Sequence, residues 1–149
     1  MNVDLKNLKC KPCSDKTPKL EPQEISNNLS QLDGWSVNDE QEMIFKKFKF
    51  KNFKKALEFT NLVGNIAEHE GHHPDISLGW GYSIVMLHTH AIKGLSVNDF
   101  ILALKIDKLA EEVLGSAMKK SFLSYKNDEW ERYHQAVTDW EVKEYLRLY

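Results

Sequence analysis

The chain has 149 residues and a formal net charge of −2 at pH 7, with a sequence pI near 6.3. That length suits one ordinary domain with a sizeable core and an appendage, and the near-neutral balance excludes the basic footprint of a general nucleic-acid binder. No apolar run approaches the roughly 18 residues of a membrane span, and the first residues lack the apolar centre of a signal peptide. The expectation is a soluble, cytoplasmic protein with no direct nucleic-acid or membrane partner.

Residues 1–21 carry lysines, prolines and both cysteines without periodicity, and read as a flexible or lightly docked arm. The arm holds Cys10-Lys11-Pro12-Cys13, a lone C-x-x-C. Zinc ribbons need two such pairs, and a redox pair sits at a helix start after a strand, so the plain reading is an exposed, reduced pair.

Ile25, Leu29 and Leu32 fall on one face of a short helix that Asp33-Gly34 stops. Trp35-Ser36-Val37 and Met43 to Phe50 read as two strands around the turn Asn38-Asp39-Glu40, with the alternation slipping into a bulge at Lys46-Lys47. The lysines between 46 and 55 are the one basic concentration, read as a solvated strand edge and helix start in preference to a phosphate-binding patch.

Asn52 caps a second helix carrying Phe53, Ala56, Leu57, Val63, Ile66 and Ala67 at helical spacing, and Gly71 ends it. Ile76 to Leu78 and Tyr82 to His90 form a hairpin bent near Gly79-Trp80-Gly81. Ser96 opens a third helix with Asp99 three residues on, a capping-box pattern, and Gly115 closes it. Beyond Ser116, Trp130, Tyr133, Val137 and Trp140 predict one further helix over about 128–146, whose aromatic stripe packs on its own domain or on a partner.

The expected fold class is therefore α+β: a four-stranded antiparallel sheet with helices on one face, in the order α-β-β-α-β-β-α, plus an extra C-terminal helix. The expected domains are an arm over 1–21, a core over 22–115 and a helical extension over 116–149.

Residues 69–76, HEGHHPDI, admit two readings. His69, Glu70 and His73 spell the helical zinc signature H-E-x-x-H. That signature needs both histidines on one helical face, whereas Gly71 favours a left-handed helix end and Pro74 pushes His73 toward extended backbone. The third ligand of the longer pattern would fall on Gly79. The alternative makes His72-His73 the working pair. Histidine titrates near neutral pH and can both accept and deliver a proton. Taken singly, His72 or His73 could simply stabilise a helix C-terminus, His88 and His90 could bond neighbours or form a metal pair, and Asp99 could be only a cap.

The combination Glu68, His72-His73-Pro74, Trp80, Thr89-His90 and Gly94-Leu95 followed by Asp99-Phe100 resembles the pterin-4a-carbinolamine dehydratases, also called dimerisation cofactors of a homeodomain transcription factor. The likeness covers roughly residues 8–107 and takes in Gly34-Trp35 and Phe50-Lys51-Asn52-Phe53; the chain departs from the pattern after Asp107. The resemblance implies dehydration of 4a-hydroxytetrahydrobiopterin to quinonoid dihydropterin and water by histidine acid/base catalysis, in tetrahydropterin recycling. It implies no metal and no cofactor. Carried over by position, His72, His73, His90 and Asp99 are the catalytic set, with His72 the main acid/base, and Glu68, Pro74, Trp80 and Thr89 face the pterin. It further implies a homodimer or homotetramer working beside an aromatic amino acid hydroxylase. The alternative within the same family is a protein-binding scaffold, and a metalloprotein using His69, His73, His88 or His90 is a third.

Overall fold

A computed structural model of the chain describes the backbone of residues 4–123 and the side chains of residues 4–111. The elements in chain order are α1 (Pro22–Leu29), β1 (Ser36–Val37), β2 (Ile44–Lys49), α2 (Phe53–Glu70), β3 (Asp75–Gly79), β4 (Tyr82–Leu87), a short 3-10 turn (His90–Ile92) and α3 (Val97–Leu123). The four strands form one antiparallel sheet in the order β1-β2-β4-β3. The fold class is as expected, α+β with an open four-stranded antiparallel sheet and three helices.

Strand alternation decides which side chains meet the helices. Ile44 and Phe48 of β2, Val85 and Leu87 of β4, and Ile76 and Leu78 of β3 pack with Ile25, Ala56, Phe59, Val63, Phe100, Leu102 and Ile106 in the main core. The opposite face carries a smaller apolar group, Met43, Ile84 and Met86, flanked by Phe45 and Tyr82. Asp75 pairs with Met86 and Ile76 with Val85, so these neighbours belong to opposite faces.

The expected bulge is absent. The β2–β4 register runs unbroken from Ile44↔Leu87 to Lys49↔Tyr82. Lys46 alternates with Ile44 and Phe48 on the helix-facing side of β2, and its amine stands 4.8 Å from the centroid of the Phe48 ring while reaching polar partners at the rim. There Nζ donates to Asp107 Oδ1 at 2.8 Å and to Asp33 O at 2.7 Å, and Trp35 Nε1 donates to the same carboxylate. Burial pushes the Asp107 carboxyl up, against the pull of Lys46 and Trp35.

Helix limits follow local chemistry. Asn52 accepts from Lys55 N at 2.9 Å and starts α2; Gly71 ends it at φ 66. At Gly79 the Tyr82 ring lies against bare backbone, where an added Cβ would meet it at 2.4–2.5 Å and the ring would have to shift. Three expectations are corrected. α1 ends at Leu29 with Ser30 as its C-cap, before Leu32 and Asp33-Gly34 are reached. β4 ends at Leu87, before His88, because the chain turns off the sheet at Thr89, whose N–H donates to Gly94 O. Gly115 does not close the third helix: α3 runs on to Leu123, a helix-interior glycine being tolerable at a cost of about 1 kcal/mol. The aromatic-striped helix expected over 128–146 lies outside the described residues. No described helix is long and apolar enough to cross a membrane.

Residues 4–21 of the arm carry no regular element but are docked along the domain. Leu5 is buried in the core, and Leu20 N donates to Leu95 O. Asn98 clamps the backbone of Lys11 from both sides, its Oδ1 accepting from Lys11 N and its Nδ2 donating to Lys11 O at 2.6 Å. Cys10 N donates to Glu70 Oε2, which shares its carboxylate with Lys105.

Candidate active site

The turn after α2 places two histidines in very different surroundings. The left-handed Gly71 reverses the chain, His72 N donates back to Ala67 O, and Pro74 leads into β3. His72 turns inward. Its side chain is 8 % exposed, and Nε2 lies 2.6 Å from Asp99 Oδ1. Asp99 is fully buried in the first turn of α3, where its other oxygen accepts from Thr89 Oγ1 at 2.8 Å and Ser96 N at 3.0 Å. Thr89 and Ser96 hydroxyls meet at 2.7 Å. Every oxygen of this buried carboxylate therefore has a donor or a ring nitrogen, as a polar group at such depth requires. Ser96 and Asp99 make half of the expected capping box, and the carboxylate spends its remaining capacity on Thr89 and His72.

His73 turns outward. Its side chain is 59 % exposed, with Nε2 3.5 Å from Glu68 Oε2. It lines an open cleft of about 430 Å³ together with Thr60, Asn61, Glu68, Pro74 and Ile76. His90 is equally exposed, and its Nε2 stands 3.9 Å from Asp75 Oδ2. Because Asp75 is two residues beyond His73, the two exposed imidazoles border one short stretch of chain.

The set expected from sequence is thus arranged in parts. His72, Asp99 and Thr89 are brought together in a buried network, His73, Glu68 and Pro74 share the cleft, and His90 sits with Asp75 and His88. Trp80 occupies the hairpin tip, 56 % exposed, and does not line the cleft. The zinc spelling dissolves locally, since α2 stops at Glu70 and His73 lies beyond the helix that carries His69.

Two features escaped sequence reasoning. Cys13 approaches the site: its Sγ accepts from Asn98 Nδ2 at 3.0 Å and lies 3.9 Å from His72 Nδ1. Asp75 and His88 join His90 through a 2.9 Å contact between Asp75 Oδ2 and His88 Nε2. The H-x-H spacing of His88 and His90 was visible, but Asp75, thirteen residues earlier, had no local signal.

The pattern described as Pterin 4 alpha carbinolamine dehydratase matches residues 18–109, more than half of the chain, and takes in Glu68, His72, His73, Thr89, His90 and Asp99. The chain belongs to this family. A relative from Alkaliphilus metalliredigens, which carries the provisional name pterin-4-alpha-carbinolamine dehydratase, is 48% identical over 110 residues, 73% of this chain and 98% of the relative. One from Azoarcus sp. with the same provisional name is 44% identical over 114 residues, covering 76% of this chain and 97% of its own. Among solved structures, a protein described as transcriptional coactivator/pterin dehydratase from Brucella melitensis superposes with a TM-score of 0.60 at 33% identity, over 62% of this chain and 99% of that one. A second pattern, Glutamine synthetase, catalytic domain, matches residues 90–145, under half of the chain and largely beyond the described side chains.

The docking of the cysteine-bearing arm can be tested directly. Burial, followed by the negative charges of Glu70 and Asp99, pushes the Cys10 thiol up to about 12. At pH 8 only about one part in ten thousand of such a thiol is the reactive thiolate. Alkylation of the reduced, folded protein is expected to mark exposed Cys13 and to spare Cys10 until the protein is unfolded. Peptide mass spectrometry checks this; equal labelling of both cysteines in native protein would mean that the arm is not docked as described.

Proposed function

We propose that the protein dehydrates a 4a-hydroxytetrahydropterin, releasing water and giving the quinonoid dihydropterin, as part of tetrahydropterin recycling beside an aromatic amino acid hydroxylase. The observation that carries this reading is the buried Asp99 network, which fixes His72 and thereby presents His73 at the open cleft with Glu68. The family membership and the names of the relatives point the same way.

The reaction needs one proton delivered to the 4a-oxygen as the C–O bond breaks and one removed from a ring nitrogen, and neutral-pH imidazoles are suited to both. The division of labour follows burial. His73 and His90, both exposed and both bordering Pro74-Asp75, are the groups that reach the pterin and handle its protons. His72, engaged by Asp99 on one nitrogen and faced by Cys13 on the other, acts through its neighbours as a positioning residue. Glu68 orients His73, and Thr89 holds Asp99. This reading moves the main acid/base role away from His72, where the resemblance put it, because a ring this buried presents no free nitrogen to the cleft. Stopped-flow absorbance of chemically generated 4a-hydroxytetrahydropterin, with and without the protein, tests the activity; a rate equal to buffer alone would defeat it.

A second reading, assembly through protein contacts, is favoured by Phe53 and Leu57, two exposed apolar side chains one turn apart on α2. They suit a helix-to-helix contact between copies in a homodimer or homotetramer, and a scaffold role would use the same face. Phe53→Glu with Leu57→Glu is expected to lower the solution mass toward that of the single chain while leaving the dehydration rate per chain within about twofold. Sedimentation analysis reads the first quantity; an unchanged mass would remove α2 from the interface.

A further inference from the structure

We propose that Asp75, His88 and His90 form a binding site for a divalent transition cation of the zinc class, and that the bound cation inhibits the dehydratase by occupying His90. One ligand atom from each of the three residues lies within 4.8 Å of the others. Asp75 Oδ2 is 2.9 Å from His88 Nε2 and 3.9 Å from His90 Nε2, and the two imidazole rings stand 4.0 Å apart between centroids at 61°. Donor atoms bound tetrahedrally at about 2.0–2.1 Å from zinc are themselves about 3.3 Å apart. The spacing brackets that value, so small side-chain rotations bring the three onto one ion.

The backbone holds the donors in place. Asp75 opens β3 and is paired in register with Met86, two residues before His88. Thr89, between the histidines, is pinned by its N–H on Gly94 O and its hydroxyl on Asp99 and Ser96. His88 is largely buried while His90 is open to solvent, so the site has a firm inner wall and an accessible outer position. Two imidazoles and a carboxylate are the protein donor set of open zinc sites, and imidazole favours Zn2+, Ni2+ or Cu2+ over Mg2+ or Ca2+.

The inhibition rests on the proposed role of His90. A nitrogen lone pair committed to a cation cannot accept a proton, so loading the site removes His90 from proton handling without touching His72 or Asp99.

The test uses full-length, untagged protein freed of metal with a chelator and titrated with Zn2+ in a calorimeter. One high-affinity equivalent is expected, and His88→Ser and Asp75→Asn should each weaken it by at least about 10-fold. Circular dichroism of both variants confirms that they are folded. Dehydration measured in parallel should fall on adding Zn2+ to the parent protein and recover with chelator, whereas the His88→Ser protein should keep its metal-free rate and resist Zn2+. No zinc binding, or binding that both folded variants retain, would overturn the site. Binding at the site without inhibition would overturn the proposed effect on His90. A metal-free protein with no dehydratase activity would count against the proposed function, while the calorimetry would still decide the site.

Discussion

Replacing Asp99 with Ala is expected to destabilise the domain by about 3–5 kcal/mol, the range for removing one partner from a buried, hydrogen-bonded charged group. The carboxylate is fully buried and serves the His72 ring, the Thr89 hydroxyl and the Ser96 N–H at once. Its loss strips the His72 ring and the Ser96 N–H of their carboxylate partner, leaves the Thr89 hydroxyl with Ser96 Oγ alone, and opens a void at the start of α3. For a protein of this size the melting temperature should drop by roughly 10–20 °C. Asp99→Asn preserves shape and one acceptor and should cost less. The turn that carries His73 depends on the same network, so dehydration should fall with stability. A melting temperature within about 2 °C of the parent for Asp99→Ala would show that the network does not hold the site together.

The second large effect separates chemistry from support. His73→Ala and His90→Ala are each expected to lower the dehydration rate by roughly 100-fold, the usual contribution of a positioned general acid or base. Because both rings are exposed, their removal should leave the melting temperature nearly unchanged. His72→Ala should instead lower rate and melting temperature together, since it strips a buried carboxylate of its 2.6 Å partner. The contrast is the measurement. If His72→Ala abolished turnover at full stability while the other two variants stayed active, the proton-handling role would return to His72.

Glu70 adds a pH dependence to the arm. Burial opposes its charge, but the Lys105 hydrogen bond, the Cys10 N–H and the charge of Lys105 outweigh it and hold its carboxyl below the usual carboxylate range. A depressed folded-state value means the contribution is fully present above the unfolded value of about 4.3 and is lost as pH falls through the folded one. Docking of the arm should therefore loosen only in acid, read as faster Cys10 exchange or cleavage near residue 10 below about pH 4.

Much of the molecule was legible along the chain because the rules involved act over a few residues. Asn52 and Gly71 bounded α2, Pro74 separated His73 from the helix, and the hydrophobic alternation announced the hairpins. The same local logic misjudged Gly115, where helix-forming neighbours outweigh one glycine, and Lys46-Lys47, where a lysine stem can lie on a core face while its amine reaches Asp107. The sequence by itself determined the α+β order, both ends of α2 and the spacing that marks the family. Only the tertiary structure decided which histidine is buried and which is open, that Cys13 faces His72 across 59 residues, and that Asp75 meets His88 and His90. Those contacts exist because the strand order β1-β2-β4-β3 and the docking of the arm on α3 carry distant segments to one rim of the sheet, and no local preference encodes a distance of that kind.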